Sequence, residues 1–330
     1  MKNRLNILII YAFIFSSCSD FSGNEDAVEA SLKPAPVTRT NNNNDDDDDT
    51  PTPTYDLKGV TYGNNTFVAV GESGVVRTSS DDGATWDNGT PGKEIQLDEI
   101  AYGNSTFVAV GRSGTHLYST DNGATWDNGT WSDSDWVTGV AFGNNTFIGV
   151  SSTYLTKSTD NGANWVRACS GVRVYDMSFG NNKFVGSGAE GAIQISDNGS
   201  GCATPSGSGS GTTEEILYGI TFGNNRFLTV GSDGWLSITS DNGNNFTPLT
   251  IPTGASHLYS SAYGNNIFVT VGNKSVVVSN NEGSSNPILK ENTLSFNDVT
   301  FGNGYFVAVG NDEIIYRSTD GDSWTKVYPL

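Results

Sequence analysis

Seven times along this chain an aromatic residue is followed by Gly-Asn: Tyr62-Gly63-Asn64, Tyr102-Gly103-Asn104, Phe142-Gly143-Asn144, Phe179-Gly180-Asn181, Phe222-Gly223-Asn224, Tyr263-Gly264-Asn265 and Phe301-Gly302-Asn303. The glycines lie 40, 40, 37, 43, 41 and 38 residues apart. Four residues after each Gly stands a Phe: Phe67, Phe107, Phe147, Phe184, Phe227, Phe268 and Phe306. Self-similarity at such a period means a repeat array in which each unit buries its apolar faces against its neighbours. Residues 55–330 therefore form one domain, although 330 residues exceed the usual single-domain length.

The repeat is written in the vocabulary of strands and tight turns. Gly makes up 40 residues and charged residues only 16 % of the chain, too few for helical bundles, which need runs of Ala, Leu, Glu and Lys. Each unit reads as four short strands: one like Gly59-Val60-Thr61-Tyr62, one opening at the Phe, one like Val75 to Ser79, and one near a Trp that follows. Four strands per ~40 residues is a propeller blade. The positions equivalent to Thr61 are small throughout (Thr61, Ala101, Ala141, Ser178, Thr221, Ala262, Thr300), as crowding around a central channel requires. The expected fold is all-β, a seven-bladed β-propeller of four-stranded antiparallel blades.

About ten residues after the Phe runs Ser-x-Asp-x-Gly-x-x-Trp, intact at Ser79 to Trp86, Ser119 to Trp126 and Ser158 to Trp165. It decays through Asp241, Gly243 and Phe246, through Asp320, Gly321 and Trp324, through Asp197 and Gly199, and to the remnant Asn281 and Gly283. This element resembles the Asp-box, or BNR repeat, of sialidases, sortilin-type receptors, xyloglucan-cleaving propellers and photosystem II assembly-factor-like propellers. The likeness covers residues 55–330. Regular blades with a Phe-Val-Ala-Val-Gly rhythm make it most similar to the last group and to bacterial propellers of no assigned role. The box occurs in enzymes, receptors and assembly factors alike, so it implies fold and not function. Asp81, Asp121, Asp160, Asp241 and Asp320 are expected to staple their hairpins by accepting N–H bonds of their own turn. A calcium loop needs more oxygen ligands and a Glu further on, so no metal or cofactor is expected.

The resemblance raises glycoside hydrolysis as the alternative function. Sialidases need three converging arginines, a Tyr–Glu pair, an Asp acid and an Arg-Ile-Pro segment; here Arg226 belongs to a repeated turn and Arg-Ile-Pro is absent. A two-carboxylate glycosidase stays open, because Glu72, Asp133, Asp135, Glu190, Asp233, Asp312 and Glu313 all lie in turns. His116 and His257, the only histidines, have no Ser or Cys motif beside them. Beyond residue 54 the chain still carries 27 acids against 13 bases, which speaks against nucleic acid.

The first residues set the address. Lys2 and Arg4 precede an apolar run from Leu5 to Phe15, too short to span a ~30 Å bilayer core but suited to a signal peptide. The ending Phe15-Ser16-Ser17-Cys18 resembles the bacterial lipobox, which implies a signal peptide over 1–17 and lipidation of Cys18. Residues 18–54, with Asn41 to Asn44 and Asp45 to Asp49, read as a disordered acidic tether spanning ~35 Å or more. The expectation is an exported monomer held by lipid at the outer membrane. Cys169 and Cys202, on outermost strands of adjacent blades, are either a disulfide or two free thiols.

In an up-and-down blade the Gly-Asn turn and the box share one face, and the irregular loops share the other. A ligand, glycan or envelope protein, is expected on the irregular face. The position four before Val60 varies freely there: Asp56, Gln96, Trp136, Arg173, Ile216, His257, Ser295. Aromatics outside the repeat collect there too: Trp131, Trp136, Tyr154, Trp235 and Tyr259. The expected ligand set is Trp136, Trp235, Asp135, Arg173, His257 and Tyr154, and each aromatic has the competing role of filling a gap between blades.

Overall fold

A computed structural model describes residues 54–329 except 90–92, 200, 202, 204–214, 251, 281–287 and 292–293. Cys18, the signal peptide, all of the tether but Thr54, and Cys202 lie outside the described residues.

Seven antiparallel sheets follow one another, each built from strands consecutive in the chain. Blade 1 runs Leu57–Gly63, Thr66–Gly71, Val76–Ser79 and Asp87–Asn88 from the axis outward. Six blades have four such strands. Blade 4 has three among the described residues (Val174–Gly180, Lys183–Gly188, Ile193–Ser196), and its outer edge is continued by Ala203, which exchanges two 2.9 Å backbone bonds with Ile195. The innermost strands pack side by side around the axis, and Asp298–Gly302 of blade 7 meets Leu57–Gly63 of blade 1. The seven-bladed β-propeller is thus a closed ring.

Blades are covered on both faces, which explains why Thr66–Gly71 is buried at every position instead of alternating. The repeated Phe is the keystone: Phe67, Phe107, Phe147, Phe184, Phe227, Phe268 and Phe306 are at most 1 % exposed. Each such burial stabilises by roughly 1.5–3 kcal/mol. The Gly of the aromatic-Gly-Asn motif has a packing cause. A Cβ on Gly63 would sit 2.0 Å from the Tyr102 ring of the next blade, and the same clash recurs around the ring to Gly302 against Tyr62. The aromatic of one blade therefore lies on the Gly of the blade before.

Closure uses no shared strand. Leu57 N donates to Gly310 O at 3.1 Å, and Asn297 Nδ2 donates to Leu57 O at 2.7 Å. Leu57, Val60 and Phe67 share one apolar cluster with Val307, Val309 and Ile315.

Candidate binding face and channel

The face carrying the repeated turns is consumed by its own bonds. In blade 1 the Asp81 carboxylate accepts from Ser79 Oγ (2.8 Å), Thr85 N (2.9 Å), Ala84 N (3.1 Å) and Thr85 Oγ1 (2.7 Å), while Trp86 Nε1 donates to Gly83 O at 3.1 Å. Asp121, Asp160, Asp241 and Asp320 accept in the same manner from their own turns. What little burial Asp81 has pushes its pKa up, but the Thr85, Ser79 and Ala84 donors outweigh that and hold it at about 2. In four blades the first Asn of the Gly-Asn turn reaches the box turn of the following blade with its side chain meeting another: Asn64 to Asn122 (2.8 Å), Asn104 to Asn161 (3.2 Å), Asn181 to Asn242 (3.0 Å) and, closing the ring, Asn303 to Asp82 (2.6 Å). This belt was missed in the sequence, although the strict recurrence of Asn was its signal.

The opposite face is built differently. In each of blades 1 to 6 the innermost strand has a β-bulge, so that one residue falls between register partners: Lys58, Asp98, Thr138, Tyr175, Tyr218 and Tyr259. A bulge re-aims its extra side chain, here to the channel mouth. The link residue preceding the strand and the turn between second and third strands close over it, as in Glu72 N to Asp56 O (2.9 Å) and Ser232 N to Ile216 O (2.9 Å). Lys58 Nζ accordingly bonds Asp56 at 3.1 Å, and Tyr218 stands 5.6 Å from Tyr259 and 6.2 Å from His257 between ring centroids.

One residue deeper, the channel wall reads Gly59, Glu99, Gly139, Asp176, Gly219, Ser260, Asp298 around the ring. The two aspartates staple neighbouring blades. Asp298 accepts from Val60 N of blade 1 (2.7 Å), its own Val299 N (2.8 Å) and Ser260 Oγ of blade 6 (2.5 Å); Asp176 accepts from Ile220 N of blade 5 (2.9 Å) and Met177 N (2.6 Å). Glu99 accepts from Ile100 N at 2.8 Å. Burial raises all three pKa values: Asp176 to about 7, Asp298 to about 6, and Glu99 well above the usual range, the last also through the charges of Asp298 and Asp176. Raised carboxylates in a concavity are the groups an acid–base reaction would use. Here backbone donors occupy them, and among the described residues no His, Cys, Asp and Glu group is arranged to hold a metal.

The expected ligand residues separate into three places. Trp136 is at the mouth, half-buried, its Nε1 donating to Asp98 at 2.7 Å with the Arg112 guanidinium 4.5 Å from its ring centroid. Arg173 is exposed there and pairs with Glu190 at 2.9 Å, and His257 Nδ1 accepts from Asp233 N at 3.1 Å. Asp135 is exposed on the link before Trp136. Trp235 is half-buried and packs against the cluster of Val185, Ile193 and Leu217. Tyr154 is a correction. At 1 % exposure it lies under Arg167 (4.1 Å) beside Trp131 (5.9 Å), where Trp131 continues to the buried His116 (6.0 Å), so this set fills the seam between blades 2 and 3. Burial holds the His116 pKa down at about 4. Cys169 is disulfide-bonded, while its expected partner Cys202 is outside the described residues. The bulge residues Tyr175 and Tyr218 were not singled out in the sequence, because a bulge leaves no mark in a period-2 pattern.

No protein-family model matches the chain, and no curated protein does. Among solved structures the chain is similar to YCF48 bound to a D1 peptide, at 16 % identity and TM-score 0.65 over 80 % of this chain and 93 % of that one. It is similar also to YCF48 from Cyanidioschyzon merolae, at 17 % identity and TM-score 0.63 over 80 % and 96 %. The WD40 β-propeller domain of Doa1 matches at 17 % and TM-score 0.63 over 81 % and 94 %. At these identities the likeness is one of fold.

Proposed function

We propose that this chain is a non-catalytic binding propeller of the bacterial cell envelope, exported and lipid-anchored through Cys18, that engages a protein partner on the channel-mouth face. The observation that carries the reading is the set of bulges: one face of a rigid ring is given over to six re-aimed side chains, Lys58, Asp98, Thr138 and the tyrosines of three successive blades, while the other face is spent on repeated turns. Ile216, one of two large apolar side chains exposed among the described residues, is on that rim. The neighbour bound to a peptide supports a protein over a glycan as partner.

The test is site-specific photo-crosslinking in the producing cell, with the crosslinker at Ile216 on the mouth or at Ser105 on the turn face. Protein adducts from position 216 and none from 105 are expected. Adducts from 105 alone would place binding on the wrong face, and glycan adducts would change the partner's class. Glycan hydrolysis lost on one carboxylate substitution would replace the reading with a glycoside hydrolase. Fatty-acid labelling lost in Cys18→Ala tests the anchor.

A further inference from the structure

One cation of the mouth is stacked on an aromatic ring. Between blades 2 and 3 the Arg112 guanidinium stacks 4.5 Å from the Trp136 centroid, and Trp136 donates to Asp98. The three stations are the first residue of a second-to-third-strand turn, the link residue of the next blade, and the bulge residue between them. Between blades 5 and 6 the same stations hold Ser232, His257 and Tyr218. This sector has rings at two stations, His257 and Tyr218, against Trp136 alone in the first, and a serine where blade 2 has its arginine.

What surrounds the Ser232 position favours a positive charge. Tyr218 and Tyr259 are half-buried and meet edge to face at 5.6 Å, so their rings are partly open. Glu215 bonds the Ser232 hydroxyl, and the Asp233 side chain is 81 % exposed beside His257. An aromatic face attracts a cation through its quadrupole, more strongly when nearby carboxylates add to the field and water is partly excluded. A guanidinium can stack flat on such a ring, which an ammonium cannot.

We infer that the sector formed by Tyr218, Tyr259, Glu215, Asp233 and Ser232 seats a basic side chain, arginine above lysine, presented by the protein partner. This rests on the mouth being the binding face and names the chemistry one part of it recognises.

The experiment uses the whole chain with labelled tyrosine rings, titrated with N-acetyl-arginine amide and with its neutral isostere N-acetyl-citrulline amide. Ring signals of Tyr218 and Tyr259 should move with the arginine derivative and at least fivefold less with citrulline. Ser232→Arg restores the station that Arg112 fills in blade 2, leaves both tyrosines in place, and should abolish the response. Tyr259→Leu should weaken it at least fivefold without lowering the melting temperature of the ring by more than a few degrees. Equal shifts from both probes, or a response undiminished in Ser232→Arg, would overturn the assignment. The crosslinking result at Ile216 does not depend on charge, so a mouth that captures protein yet ignores arginine would sink this inference alone.

Discussion

Asp121 on the turn face and Asp298 on the channel wall do the same local job with opposite electrostatic results. Each accepts bonds from backbone N–H groups and from a hydroxyl. The Asp121 pKa is lowered because the donors outweigh slight burial, whereas Asp298 is raised to about 6 because near-complete burial outweighs its donors. Asp298 is 6 % exposed, and Asp121 lies open to water. Counting hydrogen bonds therefore fails to predict the charge state; solvent access decides which effect wins. The turn acids are stabilisers as anions, and the wall acids are stabilisers that resist becoming anions.

The largest test of this contrast is Asp298→Leu. It leaves the buried Val60 and Val299 amides without acceptors at the seam where the ring closes, and about 3 kcal/mol of stability should be lost in denaturant unfolding. A loss under about 1 kcal/mol would mean the wall aspartate is dispensable to closure.

The pH profile should show both signs. Asp298 and Asp176 are raised in the folded state, so their contribution is full below the unfolded value near 4 and is lost as pH rises through about 6 to 7. Asp81 is depressed, so its contribution is present above about 4 and lost as pH falls through about 2. Stability should peak near pH 4 to 5 and fall by several kcal/mol towards pH 8, and Asp298→Asn should flatten part of the alkaline limb, Asp176 and Glu99 carrying the rest. Thermal melts from pH 2 to 8 measure this; a maximum above pH 7 would contradict it.

Smaller effects belong to the turn face. Asp121→Ala removes a carboxylate that organises one hairpin and should cost about 1 kcal/mol at pH 7, a cost that shrinks as pH falls below the ordinary carboxylate range. Asn104→Ala cuts one exposed belt bond to Asn161 and should cost about 0.5 kcal/mol, read as a shift in the urea midpoint with unchanged slope. An equal cost for the two changes would show that belt and staple are one network.

The architecture was legible because it depends on periodicity. A Phe every forty residues buried between covered sheets leaves a pattern that needs no partner to be seen, and Gly63 shows the same regularity even though its cause, the Tyr102 ring, lies in the next blade. The wall and the mouth were not legible. Glu99, Asp176 and Asp298 are three acids among 36, and only ring closure brings them together. The bulges that turn Tyr175, Tyr218 and Tyr259 towards the mouth arise from register against the second strand, which composition does not encode. Trp136 stood out because it breaks the repeat, and Tyr154 stood out for the same reason, one at the mouth and the other buried between blades: a residue outside a pattern marks either a surface or a seam.

The point where the polypeptide joins the ring has its own consequence. Thr54 Oγ1 lies 3.3 Å from Asp312, and Glu313 N donates to Tyr55 O at 2.8 Å, so the chain arrives at the turn of blade 7 that borders the channel mouth. The first described residue and the channel mouth share one side of the ring. With the anchor at Cys18 proposed above, a partner fixed in the same layer would be met at an effective concentration set by tether length, not by diffusion from bulk. Moving the attachment to the carboxy terminus, with every contact of the ring unchanged, would change how often the mouth finds such a partner while leaving its affinity for a free one the same.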